Sequence, residues 1–270
     1  MAIETKHHIK TISEQDFHEI DYQITGLAFD VHNEIGRLWH EKIYQNALAD
    51  RCCKAGFTNV ETEVLIIVSY LDFTKEYYVD LLVQDSIMYE LKTVRTLNPD
   101  HDRQALNYLF LLGLQYGKLI NFRPASLEKR FVSTTLFPED RHDIVFNDEQ
   151  WLELDEDSIG LKALIVELMM DWGAYLETSL FYEAIYHFRG GEDQVVKDID
   201  VVLNETKLGN QKVHLLNPNT AFKLTAITKG IESYRQHLRR FICHTNLNAI
   251  QWINCNHHVI SFETILNQMR

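Results

Sequence analysis

Between Ile20 and Ile35 the apolar residues Ile24, Leu27, Ala28, Val31 and Ile35 recur at intervals of three and four. That spacing keeps one side of a helix apolar, and Gly36 marks its end. A second helix is predicted from Trp39 to Lys54, with Ile43, Tyr44, Ala47 and Leu48 turned inward and Gly56 closing it. The pattern then changes. Val64–Leu71, Tyr77–Val83 and Ile87–Val94 are short runs rich in β-branched and aromatic residues, separated by polar turns. They predict three strands, antiparallel in chain order. Asn98-Pro99 opens a further helix carrying Ala105, Leu106, Leu109 and Leu112 and ending near Gly113. Lys118–Phe122 and Arg130–Leu136 read as two more strands. Strands with a helical crossover predict an α/β (α+β) domain over residues 20–136, a mixed sheet flanked by helices. The acidic segment 137–158, broken by Pro138, is the candidate linker, and a helix-rich region fills 159–270.

That second region repeats the first. ITGLAFDVHNEIG (24–36) aligns with LKALIVELMMDWG (161–173) at a shift of 137, which also sets Ala47 on Ala184 and Leu48 on Ile185. After a four-residue contraction the shift is 133, which sets Ile66 on Ile199, Leu91 on Leu224, Ile120 on Ile253 and Asn121 on Asn254. A genuine repeat requires the same strand order and direction in both halves.

The chain has 270 residues, of which 46% are hydrophobic and 24% charged. At roughly 150 residues per domain this allows one large or two small domains with a sizeable core. No run of about 18 uncharged apolar residues is present, and MAIETKHHIK has no apolar signal core, so a cytoplasmic location without membrane attachment is expected. Four cysteines, two of them adjacent, do not form a disulfide framework. The net charge of −13 argues against a tight, non-specific binder of duplex DNA, which usually presents a basic face.

Candidate chemistry sits on the central strands. Glu90 and Lys92 are two apart in MYELKTV and share one face, with Leu91 on the other. Asp80, in YYVDLLV, lies on the preceding hairpin strand, where pairing can set its carboxylate beside Glu90. Two carboxylates and an ammonium would converge among apolar residues such as Leu81, Val83 and Leu91. Hard oxygen ligands of this kind suit Mg²⁺ or Mn²⁺. A bound metal could polarise a phosphoryl oxygen and acidify a water, with Lys92 orienting that water or neutralising developing charge. Gln104 and Tyr108 stand four apart on the next helix, and so on one side of it.

GRLWHEKIYQNAL, YYVDLLVQDSIMYELKTV and QALNYLFLLGLQYGKLINF, in that order, resemble the bacterial GxxExxY protein family of the PD-(D/E)XK nuclease superfamily. The resemblance spans about residues 20–135. It implies a restriction-endonuclease-like core, with Asp80 and Glu90 as metal ligands, Lys92 completing the triad, and Gln104 and Tyr108 lining the cleft. Glu41 matches the family glutamate and would add a carboxylate. The family's glycine three positions earlier is Leu38 here, with Gly36 nearby. At the corresponding positions of the second copy stand Thr178 for Glu41, Val213 for Asp80, Lys223 for Glu90 and Thr225 for Lys92, a set that could not hold a metal.

The expected activity is metal-dependent hydrolysis of nucleic-acid phosphodiesters, with DNA ahead of RNA as partner and a homodimer as an open arrangement. The alternative is an inactive nucleic-acid-binding or protein-interaction module that keeps the fold. Arg235, Arg239 and Arg240 form a basic patch that could contact phosphates. Cys243, His244, Cys255, His257 and His258 could in principle bind zinc, but no C-x-x-C pair supports that.

Overall fold

The computed structural model describes residues 2–268 and divides the chain into two compact units, Met1–Asp140 and Arg141–Arg270. Each is built on one six-stranded sheet.

In the first unit, β1 (Ile3–Thr5) is followed by helices α1 (Glu14–Ile35) and α2 (Glu41–Lys54). The hairpin strands β2 (Val60–Tyr70), β3 (Phe73–Val83) and β4 (Ile87–Lys92) come next. Helix α3 (Pro99–Leu112) then crosses to β5 (Tyr116–Asn121), and β6 (Glu128–Ser133) closes the sheet. Strand order is β1-β2-β3-β4-β5-β6, with only the β4/β5 pair parallel. The Ser13 hydroxyl caps α1 by accepting from the Asp16 N–H, which sets the helix start earlier than apolar spacing places it. Asn98 caps α3 with a capping box completed by His101, Pro99 stands in its first turn, and Gly113 ends it in a left-handed conformation.

Helices α1 and α2 cover one side of this sheet. Phe17, Ile24, Ala28, Val31, Tyr44 and Leu48 from the helices pack on Leu81, Val83, Ile87, Tyr89, Leu91 and Ile120 from the strands. Leu81, Val83 and Leu91 therefore belong to this helix-facing core, not to the surroundings of the carboxylates as the sequence suggested. Alternation along the strands puts Leu82, Met88 and Glu90 on the opposite side.

The second unit starts with β7 (Val145–Gln150), which lies inside the segment read as a linker. Its Val145 and Phe146 pair in parallel with Val259 and Ile260, so an acidic stretch is still a sheet-edge strand. Helices α4 (Glu156–Trp172), α5 (Thr178–Phe188) and the single turn α6 (Glu192–Val195) follow. Then come β8 (Val196–Leu203), β9 (Thr206–Asn217), β10 (Thr220–Thr225), α7 (Ile231–Cys243), β11 (Ala249–Asn256) and β12 (Val259–Leu266).

The order β8-β9-β10-β11-β12 reproduces β2-β3-β4-β5-β6, with the same antiparallel, antiparallel, parallel, antiparallel pattern. The C-terminal half is thus a second copy of the unit. The two copies differ at the rim: β1 adds beside β2, whereas β7 adds beside β12. One side-chain bridge is kept in both. Asn121 accepts from the Val94 N–H at 3.1 Å and donates to the Val94 carbonyl at 2.8 Å. Asn254 does the same to Ile227, at 2.8 and 2.9 Å. Both asparagines are buried, and each ties the end of a parallel strand to the segment leaving its neighbour.

Candidate metal and phosphodiester site

Asp80, Glu90 and Lys92 meet at the β3/β4 pair. The register pairs Leu81 with Tyr89, so Asp80 and Glu90, one step further along, stand opposite each other on one side of the sheet. The Asp80 carboxylate lies at the strand boundary, where its Oδ2 accepts from the Leu91 N–H at 2.7 Å. Glu90 is only 2% exposed and Lys92 9%. The Lys92 ammonium donates to Glu90 Oε1 at 2.6 Å, while Glu90 Oε2 is buried with no hydrogen-bond partner.

Glu41, in the first turn of α2, joins the group through its charge interaction with Lys92. Burial raises the Glu41 carboxyl above the ordinary carboxylate range, partly offset by Lys92 and the Thr93 N–H. Burial also pushes Asp80 up to about 6, against the Leu91 N–H and Lys92, with Glu41 and Glu63 adding repulsion. Glu90 is pushed up to about 8 by burial first and the Asp80 charge second, against the pull of Lys92. Burial opposes the Lys92 ammonium, but the surrounding Glu90, Glu41 and Asp80 outweigh it and hold its pKa above the usual lysine value. The four groups form one coupled electrostatic cluster with an excess of negative charge.

Among the described residues no three His, Cys, Asp or Glu side chains are already closed to metal-ligand spacing. The donor set nevertheless fits a hard divalent cation. A buried carboxylate oxygen without a partner costs free energy, and a cation would relieve it. The like-charge repulsion that raises Asp80 and Glu90 would be relieved by the same ion.

Two residues at the site escaped the sequence reading. Gln45 is 1% exposed on α2 and donates to the Asp80 carbonyl oxygen. Glu63 lies across β2 from Asp80 and carries φ of 54°, a left-handed conformation unusual for a strand residue. Glu63 accepts from Lys42 at 2.9 Å, and Lys42, with Gln45, holds its carboxyl below the ordinary range. Neither residue belongs to a short motif; only a contact across elements identifies them.

Gln104 and Tyr108 are joined by a hydrogen bond of 3.1 Å on α3, with the Tyr108 ring 6.1 Å from that of Tyr77. The arginine patch departs from expectation. The Arg235 Nε donates to both carboxylate oxygens of Glu263, at 2.7 and 2.9 Å, and its guanidinium also pairs with Glu232 and lies over Trp252. Arg235 is thus a neutralised structural cation, and only Arg239 and Arg240 are exposed.

In the second copy the matching ground is occupied by different chemistry. The Leu224 N–H, equivalent to that of Leu91, donates to the Tyr182 hydroxyl at 2.8 Å, and that hydroxyl donates to the Leu224 carbonyl at 3.2 Å. The Tyr182 ring lies tilted, 4.4 Å between centroids, against His214, whose pKa burial lowers to about 4, with Lys223 adding to the effect. A neutral phenol thus takes the backbone contact that a carboxylate takes in the first copy.

Residues 18–132 match the family model of the PD-(D/E)XK nuclease superfamily. No curated protein sequence matches the chain significantly. The solved structure of SSO0001 is similar at 22% identity over 48% of this chain and 71% of its own, with a TM-score of 0.30. Among the described residues no helix is long and apolar enough to cross a membrane.

Proposed function

We propose, from the match of residues 18–132 to the PD-(D/E)XK nuclease superfamily model, that this chain is a divalent-metal-dependent nuclease cleaving nucleic-acid phosphodiester bonds. Asp80 and Glu90 would hold Mg²⁺ or Mn²⁺, with Glu41 contributing a further carboxylate. When bound, the ion supplies Lewis acidity toward a phosphoryl oxygen and lowers the pKa of a water. The single observation that carries this reading is the buried, unpartnered Glu90 Oε2 within a cluster of raised carboxylates.

The chain's own residues do the remaining work. The Leu91 N–H fixes the Asp80 carboxylate, and Gln45 fixes the backbone behind it. Lys92 keeps its proton at neutral pH and places a positive charge beside Glu90, where it can orient a water or stabilise negative charge on a phosphate. Burial of Glu90 and Lys92 keeps bulk water from screening these charges.

The test is incubation of labelled single- and double-stranded DNA and RNA with the full chain in Mg²⁺, Mn²⁺ or EDTA. Cleavage is expected with metal and absent in EDTA. Asp80→Asn should lower the rate by at least about a hundredfold, since metal-centred charge stabilisation is worth several kcal/mol. Undiminished cleavage in EDTA, or in the Asp80→Asn protein, would overturn the assignment.

A further inference from the structure

The second unit contains a cavity of about 310 Å³ lined by residues that include Lys212, Val213, Lys223, Tyr234, His237 and Phe241. At the shift of 133, Val213 corresponds to Asp80, Lys223 to Glu90, His237 to Gln104 and Phe241 to Tyr108. The cavity is therefore the counterpart of the candidate active cleft, between the sheet and α7, with its chemistry changed. Where the first copy has a buried carboxylate, the second has an ammonium. Lys223 stands beside Trp252 on β11 and, continuing the β9 register, beside Val213, so its strand neighbours supply no counter-charge. Among the described residues neither Lys223 nor Lys212 forms a side-chain ion pair, although Asp198 lies across the ladder from Lys212. Arg235, the strongest nearby cation, is already neutralised by Glu263 and Glu232.

A site of this kind would reject a metal ion and attract an anion. Tyr234 and Phe241 add aromatic surface, and the volume is at the lower end of the range for small-molecule sites, roughly 300–1,000 Å³. We propose that this cavity binds a nucleotide, with the phosphate on Lys223 and the base against Tyr234 and Phe241. An ammonium at the wall of a half-buried pocket favours a phosphate by charge, and every base offers a flat face to aromatic rings. The choice of a nucleotide among aromatic anions rests on the nuclease reading of the first unit. The same chemistry is offered by a free mononucleotide and by the phosphorylated end of a strand. In the second role the vestigial copy would anchor a strand while the first copy cuts.

Calorimetric titration of the full chain in EDTA separates binding from cleavage. The probes are adenosine 5′-monophosphate, adenosine, inorganic phosphate, and a single-stranded DNA octamer with and without a 5′-phosphate. The monophosphate, the phosphorylated octamer or both should bind at least tenfold more tightly than the forms lacking phosphate. Binding of the octamer alone assigns the site to strand ends; binding of both admits free nucleotide as well. Lys223→Gln and Lys223→Glu should weaken that binding by about tenfold and at least a hundredfold, while Lys207→Gln, on a lysine paired with Asp200, should not. Lys223 is half-buried, and circular dichroism of both variants verifies the fold. Absence of binding by every phosphorylated probe, or binding indifferent to Lys223, overturns the proposal. If nucleotide binds but no nucleic acid is cut with metal present, the nuclease assignment fails and this one stands.

Discussion

Replacing Glu90 by glutamine should make the metal-free protein more stable while removing its activity. The folded pKa of this carboxyl is raised to about 8 from an ordinary 4.5, chiefly by burial and then by Asp80. A carboxyl raised in this way costs stability only at pH values where the unfolded chain ionises it. Below pH 4.5 both folded and unfolded chains carry the proton, and the group contributes no difference. Above that value the unfolded chain releases its proton while the folded chain holds it, so stability falls with rising pH until about pH 8. At about 1.4 kcal/mol per pH unit, the loss between pH 5 and pH 8 has an upper bound of about 4 kcal/mol. Relaxation and water entry reduce such penalties, so roughly 1–2 kcal/mol is the expected size.

Glutamine has nearly the same shape, can still accept from Lys92, and does not titrate. Its advantage over glutamate should therefore be near zero at pH 5 and largest at pH 8. Comparing the two pH values cancels contacts peculiar to the amide. Thermal or urea unfolding in EDTA at both values is the assay, and a rise of several °C in Tm at pH 8 is expected. Excess Mg²⁺ should stabilise the wild type at pH 8 and leave Glu90→Gln nearly unchanged, since the proposed ion would need the Glu90 carboxylate. An advantage that is the same at both pH values, or a variant less stable at pH 8, would refute the reasoning.

Two further outcomes follow from comparing the copies. Gly117→Ala should destabilise the first unit by about 1–3 kcal/mol in urea unfolding, because a Cβ there would lie 2.7 Å from Met88 Cε and 3.2 Å from the Met88 carbonyl oxygen. The second copy pairs Ile250 with Ala221 at the same place, so adding Met88→Ala should recover part of the loss. Lys118, buried with Asp21 and donating to Thr25 at 2.9 Å, should cost about 3–5 kcal/mol as Lys118→Gln alone, since the buried Asp21 loses its ion-pair partner and keeps only the hydroxyls of Thr25 and Tyr89. The double change Asp21→Ser with Lys118→Gln replaces both charges by the neutral residues that stand buried at the matching positions of the second copy, Ser158 and Gln251, and should be markedly less destabilising than the single one.

Much of the fold was legible because apolar spacing and caps act locally. The strands around Asp80 and Glu90, the Asn98-Pro99 helix start and the Gly113 stop are all set by neighbours in sequence. The two-residue spacing of Glu90 and Lys92 likewise fixed their common side. Three features were not legible, each for a physical reason. Strand β7 is acidic and mostly exposed; what makes it a strand is the edge of β12, more than a hundred residues away. Gln45 acts on Asp80 through its side chain from another element, so no spacing reports it. Arg235 counts as a surface charge in sequence, but Glu263 on β12 neutralises it.

The two copies also separate what the fold needs from what the chemistry needs. Both keep the helix-ending glycine, Gly36 and Gly173, and the asparagine bridge, Asn121 and Asn254. These satisfy backbone groups, a requirement independent of function. Of Asp80, Glu90 and Lys92, only Asp80 meets a backbone group, the Leu91 N–H, and the second copy meets the same need without a carboxylate. The three residues bury mutually repelling charge and leave one oxygen without a partner, an arrangement that destabilises the metal-free fold. In the second copy that burden is gone. Tyr182 meets the backbone need of Leu224 with a neutral hydroxyl, and Thr225 bonds Asn254 at 2.7 Å where the first copy has Lys92. A copy that lacks the destabilising cluster but keeps the glycine cap and the asparagine bridge is what relaxation of a functional constraint would produce. The converse holds for the first copy: a buried cluster of raised carboxylates has no structural reason to persist there, and the cation proposed for this site would give it one.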